Sequence, residues 1–430
     1  MVPRHNGEQL NVIVVGAGIG GLTLALCLQR AGIACRVYEM APAIAPLGVG
    51  INILPHASRE LGRLGLGAEL TRVAVLTREA VFFNRFGQRI YSEPLGRFGG
   101  YGDPQYSIHR GELQKVLAAA VTTRMGDDCI RAGWKCVGVG QDAGGATANF
   151  VDTDSGAERP AQCADLVVAC DGLHSVVRRQ LHPDEGPPLY SGVNMWRGTT
   201  IWEPILSGAS MIRAGWLAGG KMVIYPIRDN VDGHGRQLVN WVAELETPIH
   251  EKRDWSRTGR ISDFIDAFER WHFDWLDVPA FIRAAQAILE FPMVDQDPLP
   301  WWTQGRVTLL GDAAHPMYPR GSNGAGQAIL DARALADALV AHADPQAALA
   351  AYEAERLPVT ADVVRMNRKD PPDAILREVY ERTGDRPFAR IDDVISHEEL
   401  VATSDRYKRV AGIDRPSPPA TAPGAARQRS

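Results

Sequence analysis

The chain has 430 residues, 45% hydrophobic and 23% charged, with a formal net charge of −5. That length calls for two or three domains, and that balance belongs to an ordinary globular chain. A basic nucleic-acid surface is excluded, and no window approaches the roughly 18 apolar residues of a spanning helix.

The N-terminus, MVPRHNGEQL, has no apolar core of leader length, so a soluble, cytoplasmic protein is expected. Asn11 to Val15 (NVIVV) reads as a short buried strand. Gly16, Gly18 and Gly21 then fit G-x-G-x-x-G, LTLALCLQRAG reads as a helix stopping at Gly32, and CRVYE is a second strand ending at Glu39. This strand–loop–helix–strand order is the first unit of a doubly wound parallel sheet. From about Ala80 to Gly102 short strands and turns take over, and HRGELQKVLAAAV from His109 is an amphipathic helix. The stretch from Trp134 to Gly156 is rich in hairpins, and ADLVVAC, Ala164 to Cys170, is another buried parallel strand. From about Pro187 to Pro298 the pattern is antiparallel, with ISDFIDAFERWHF expected as a helix inside it. RVTLLGD, Arg306 to Asp312, returns to the parallel type and leads through a glycine-rich turn into GQAILDARALADALVAH. Scattered helices follow Asp370, and the closing RPSPPATAPGAARQRS reads as disordered.

The six cysteines, Cys27, Cys35, Cys129, Cys136, Cys163 and Cys170, form no C-x-x-C pair and lie mostly in apolar runs. They are expected to be buried free thiols of a reducing compartment, and no metal site is expected.

The first glycine loop has the required strand before it and helix after it. A second match, Gly138 to Ala143, fits the looser G-x-G-x-x-A but runs into a hairpin. Gly16, Gly18 and Gly21 permit a tight turn and close approach of a pyrophosphate to backbone N–H groups, and Glu39 is placed to accept from a ribose diol. The loop alone does not choose between NAD and the ADP half of FAD.

Three further segments make that choice: DLVVACDGLHSVVR from Asp165, SIHRGEL with Arg110, and RVTLLGDAAHPMYPRGSNGAGQAILDA. With them, and with PLGVGINILPHA, NMWRGTT and FPMVDQDPLP, the chain resembles the FAD-dependent aromatic-ring monooxygenases of the p-hydroxybenzoate hydroxylase fold, most closely the phenazine-carboxylate branch. The resemblance implies an α/β fold whose FAD-binding doubly wound parallel sheet is interrupted by a second, mainly antiparallel-sheet substrate domain. The FAD-binding domain would comprise residues 1–79, 106–186 and 301–369, and the substrate domain 80–105 and 187–300. A helical segment (370–412) and a disordered tail (413–430) would follow.

It also implies the roles of individual residues. Gly16, Gly18, Gly21, Glu39, Gly50, Arg110, Asp171, Asp312, Gly324 and Ala325 would bind FAD. Asp312 would take hydroxyls of the ribityl or phosphate side, and N–H groups of the second turn would face the flavin edge that becomes negative on reduction. NADPH or NADH would visit transiently as co-substrate. The expected reaction is hydroxylation of a hydroxybenzoate, aminohydroxybenzoate or N-heteroaromatic carboxylate through a flavin C4a-hydroperoxide. Pro319, Tyr225 and Arg320 are the candidates nearest the chemistry, with Trp196, Arg197, Trp241 and Tyr318 as substrate-facing neighbours. Arg320 is expected to bind a substrate carboxylate, and His315 to be a structural histidine. The other readings weighed are a flavin oxidase or dehydrogenase without oxygen transfer, a halogenase (whose W-x-W-x-I-P motif is missing) and a non-catalytic nucleotide-binding scaffold.

Overall fold

The chain shuttles between two layers. A computed structural model describes residues 10–44, 49–247 and 258–413. One layer opens with β1 (Asn11–Val15), α1 (Ile19–Arg30), β2 (Ala34–Glu39), β3 (Gly50–Ile53) and α2 (Pro55–Arg63). The chain crosses to the second layer as β4 (Glu79–Phe83) and β5 (Arg89–Pro94), then returns as β6 (Tyr106–His109), α3 (Arg110–Met125) and β7 (Ile130–Ala132). A three-stranded hairpin sheet within residues 134–164 precedes β8 (Leu166–Ala169). The second layer resumes with β9 (Leu189–Trp202), β10 (Ser210–Trp216), β11 (Gly220–Arg228), β12 (Gln237–Glu246) and β13 (Ile288–Asp295). The first layer closes with β14 (Val307–Leu309), α4 (Gly324–Ala341) and α5 (Pro345–Lys369). Two helices end the described chain, α6 (Ala374–Thr383) and α7 (His397–Val410).

The first layer is a five-stranded parallel sheet ordered β14-β8-β1-β2-β7. Its central strands are covered on both faces, which is why VIVV (Val12–Val15) and LVVA read as unbroken apolar runs. α1 and α4 lie against each other on one face. A Cβ on Gly20 would come within 2.9 Å of Leu310 Cδ2 and 3.3 Å of Ala328 Cβ, so small residues set their approach.

The second layer is a seven-stranded sheet ordered β13-β9-β12-β11-β10-β4-β5, antiparallel except where β4 runs parallel to β10. Side chains alternate between its faces. One face carries Trp196, Ile212, Met222, Ile224 and Trp241 onto Phe264, Phe268 and Trp271. The other carries Val193, Met195, Val242 and Met293 toward Tyr318 of the first layer. The architecture is thus α/β with a parallel dinucleotide-type sheet and a separate, mainly antiparallel one.

Some expectations need correction. ISDFIDAFERWHF is not a helix: two short 3-10 turns, Ile261–Asp263 and Ile265–Ala267, break at Phe264 (φ −146°). Phe264 stacks on Trp196 with centroids 5.0 Å apart, and this aromatic packing overrides the apolar spacing that suggested a helix. Ile413, assigned to the tail, is buried with Leu54, Tyr101 and Tyr407; residues 414–430 lie outside the described residues. All six cysteines are free thiols, but Cys163 is exposed, and Cys35 and Cys170 are half-buried. Among the described residues no helix is long and apolar enough to cross a membrane.

Candidate active site

β1, β8 and β14 lie side by side and run the same way, so the turns after them meet along one edge. Open α/β sheets bind ligands at such carboxyl ends. After β1, Gly16 has φ +101°, and a Cβ there would meet Cys170 O at 2.5 Å. A Cβ on Gly21 would lie 2.0 Å from Gly16 O, so both glycines are required by the turn. Gly18 differs, because nothing lies within 4 Å of its ideal Cβ and its face is open. It begins α1, which no side chain caps, and the first-turn N–H groups are left for an anion. Glu39 braces the loop: Oε2 accepts from Ala17 N and Oε1 from Ala41 N, each at 2.7 Å. Each oxygen keeps acceptor capacity for a hydroxyl.

After β8, Asp171 Oδ2 accepts from Val176 N at 2.9 Å, while Oδ1 is buried with no donor. Burial pushes this carboxyl above its ordinary range. After β14, Gly311 adopts φ +64° and Asp312 is exposed. Asp312 Oδ1 lies 3.8 Å from the ideal Cβ position of Gly324, the first residue of α4. Asn323 precedes α4 without capping it, so the N–H groups of Gly324 and Ala325 join the Asp312 carboxylate at the mouth of the second turn. Arg110 is exposed at the start of α3, and its backbone N–H bonds Val49 O. An extended FAD fits this arrangement. Two uncapped helix starts, an exposed carboxylate and a buried acceptor lacking a donor are ranged along one edge.

His315 is held away from chemistry. Its Nε2 lies 2.5 Å from Asp331 Oδ2, and Arg356 Nε donates to Asp331 Oδ1 at 2.7 Å. Burial alone would raise the Asp331 carboxyl, but His315 and Arg356 bring it below its ordinary value. Asp331 also accepts from Gly311 N at 3.2 Å, so this buried triad pins the Gly-Asp turn.

The sheet face opposite these turns is apolar, with polar groups at one place. Gly50 N donates to Asn240 Oδ1 at 2.7 Å, and Gly50 O accepts from Tyr225 Oη at 2.8 Å and Arg197 Nη2 at 2.9 Å. A Cβ on Gly50 would lie 2.7 Å from atoms of Asn240 and Ile227, so only glycine lets β3 approach the sheet this closely. Gly50, expected to bind the cofactor, therefore has its amide and carbonyl engaged and joins the layers instead. Arg197 Nε and Asn240 Nδ2 are buried donors without acceptors. Burial raises the Tyr225 hydroxyl and lowers the Arg197 guanidinium, which Arg110 lowers further. Trp196 and Trp241 do not face this site; strand alternation turns them to the opposite core, where Trp241 Nε1 donates to Thr200 Oγ1 at 3.0 Å.

Tyr318 and Arg320 stand across from the apolar face. The Tyr318 hydroxyl donates to Asp295, which Arg368 holds at 2.7 and 3.0 Å. The Arg320 guanidinium lies 5.8 Å over the Tyr318 ring and forms no ion pair among the described residues. Against the burial that would raise it, its charge helps Lys221 and Arg213 hold the Asp373 carboxyl below its ordinary value. Pro319 is exposed at the start of the turn. Sequence reasoning missed Asn240, Asn323, His56 and Asn367, whose partners lie far along the chain. His56 Nε2 sits 3.1 Å from Asn323 Oδ1, and Asn367 Nδ2 donates to Tyr318 O at 3.2 Å.

A protein-family model described as "FAD binding domain" matches residues 9–193 and 293–367. The phenazine 1,6-dicarboxylic acid hydroxylase PhzS of Lysobacter antibioticus is 40% identical over 411 residues, 95% of this chain and 98% of the relative. The 3-amino-4-hydroxybenzoate 2-monooxygenase PtmB3 of Streptomyces platensis is 36% identical over 83% of this chain and 87% of the relative. The crystal structure of Klebsiella pneumoniae HpxO with FAD and uric acid shares the fold, with a TM-score of 0.70 at 24% identity over 94% of this chain and 93% of that chain.

Proposed function

Because this chain belongs to the family of FAD-dependent aromatic-ring monooxygenases built on the FAD binding domain, we propose that it hydroxylates an electron-rich aromatic carboxylate with NAD(P)H and O2 in a single component. One oxygen atom enters a ring C–H bond, the other leaves as water, and NAD(P)H gives up two electrons. FAD, when bound, supplies the transfer from NAD(P)H to oxygen. The chain's residues supply everything else. The glycine turn at the start of α1 and Glu39 hold the adenosine half. Asp171, Asp312 and the N–H groups of Gly324 and Ala325 hold the ribityl and flavin half, with Arg110 beside them. The positive end of α4 favours the negative charge that the flavin edge carries when reduced.

The sheet face of Met195, Val223, Val242, Phe291 and Met293 offers the ring an apolar, water-poor floor. Two methionines make that floor adaptable, which suits a broad polycyclic ring. The 40% identity to a phenazine dicarboxylate hydroxylase favours the same class over a single-ring acid. Tyr225 has its proton committed to Gly50 O and so orients Arg197, whose free Nε–H is left to meet a ring substituent. Pro319 shapes the turn, and Arg320 binds the carboxylate. The domain limits given above belong to this reading, and six free thiols support a reducing, cytoplasmic setting.

The observation that carries the substrate assignment is the Arg320 guanidinium, which makes no ion pair among the described residues and lies over Tyr318, whose ring packs on the apolar floor. A panel of hydroxybenzoates, aminohydroxybenzoates and N-heteroaromatic acids, with NADH and NADPH, tests it. At least one acid should stimulate NAD(P)H oxidation and yield a product heavier by one oxygen. Arg320→Ala should raise KM for that acid about tenfold or more, the scale of a lost charge-assisted hydrogen bond, while leaving its amide analogue unaffected. An unchanged KM for the acid would remove Arg320 from the site.

A further inference from the structure

The turn that presents α4 is held from outside. Gly321 (φ +79°) and Ser322 (φ +55°) are consecutive left-handed residues, and the second has a side chain. Such a backbone persists only where its surroundings over-determine it. A Cβ on Gly321 would lie 1.9 Å from Tyr407 Oη, so the α7 tyrosine rests directly on the turn. Tyr407 is buried, and its hydroxyl donates to Asn367 Oδ1 at 3.0 Å. Asn367 in turn donates to Tyr318 O at 3.2 Å, and Gln327 Nε2 of α4 donates to Ala411 O at 3.4 Å.

The same C-terminal segment is bolted to the antiparallel sheet. Asp373, just before α6, pairs with Arg213 Nε at 3.0 Å and with Lys221, which also bonds Glu244 at 3.0 and 3.1 Å. Glu93 of β5 accepts from Ser404 Oγ at 2.8 Å and Lys408 Nζ at 2.6 Å. Ile375, Leu376, Val379 and Leu400 share a core with Phe82 and Ile90 of the sheet. All of these strap residues lie beyond 367, outside the segments that match the family.

We propose that residues 371–411 form a strap that fixes the flavin-facing turn relative to the substrate sheet, with Tyr407 as its positioning residue. The strap holds the start of α4 in place through the Tyr407–Asn367–Tyr318 chain of hydrogen bonds. It touches neither substrate nor reacting atoms. The inference needs FAD at the second turn but not the identity of the aromatic acid.

The test is Tyr407→Phe, which removes one hydroxyl and keeps the ring. FAD affinity of the apoprotein, read by quenching of flavin fluorescence, should weaken about fivefold to tenfold, the scale of one lost hydrogen bond. The share of NAD(P)H oxidation released as hydrogen peroxide should rise, while the thermal midpoint of the apoprotein stays close to that of the parent. Asn367→Leu should act on the same path, so the double variant should bind FAD no more weakly than Asn367→Leu alone. If Asn367→Leu does not fold, Tyr407→Phe decides by itself. Unchanged FAD affinity, additive effects of the two changes, or a lowered midpoint with parental affinity would each overturn the proposal. FAD affinity is measured without any aromatic acid, so a failed substrate panel leaves this result standing.

Discussion

At the scale of single residues, the parts with a fixed local job were the readable ones. Gly16, Gly18, Gly21 and Glu39 declare themselves because the strand, the turn and the helix are contiguous in sequence. Gly21→Ala should give a folded protein without flavin colour, since its Cβ would lie 2.0 Å from Gly16 O; a normal flavin complement would refute that role. Residues whose partners are distant were not readable. Nothing near His56 in the chain announces Asn323. Burial drops the His56 imidazole to about 4, from about 6.5 in an unfolded chain. The native state therefore binds fewer protons than the unfolded one between these values. Its stability is full above pH 6.5 and falls as the pH drops toward 4. Between pH 7 and pH 5 this one group costs about 2 kcal/mol. In His56→Asn the loss of denaturation free energy over that interval should shrink by a comparable amount. An unaltered pH dependence would show that His56 is not the group responsible.

At the scale of elements, the parallel strands and α1, α3 and α4 were legible from apolar runs and glycine punctuation. The strands of the antiparallel sheet were legible from alternation, but which face of each strand meets the first layer was not. Trp196 and Arg197 are neighbours in sequence and enemies in direction, and only the sheet's position says which of them faces the site. α5 was hidden for another reason. It runs 25 residues straight through Pro358, a residue that normally ends a helix. Pro358 is exposed, and the tertiary contacts of Tyr352, Arg356, Val363 and Val364 carry the helix across it. Restoring the missing N–H should help. Pro358→Ala should stabilise the protein by about 1–3 kcal/mol in chemical denaturation. A destabilised variant would mean that the proline ring is needed for packing.

At the scale of the whole molecule, the sequence pointed to two layers but not to what fastens them. The fastener is the buried set of Arg213, Lys221, Glu244 and Asp373, drawn from three strands and the chain just before α6. Lys221→Met would leave Glu244 buried without its cation, at a cost of about 3–5 kcal/mol. Replacing Glu244 as well should recover much of that loss, and denaturation of the single and double variants measures both. The crossing of β4 and β5 into the far sheet has a temporal side too. A nascent chain that has just emerged through β5 has made two strands whose neighbour, β10, is more than a hundred residues from synthesis. The parallel sheet likewise waits for β14, which is translated after every strand of the other layer. The parallel sheet cannot close until every strand of the other layer has been made, so the enzyme must ripen as one body, and no cut between the two layers would yield a self-sufficient fragment.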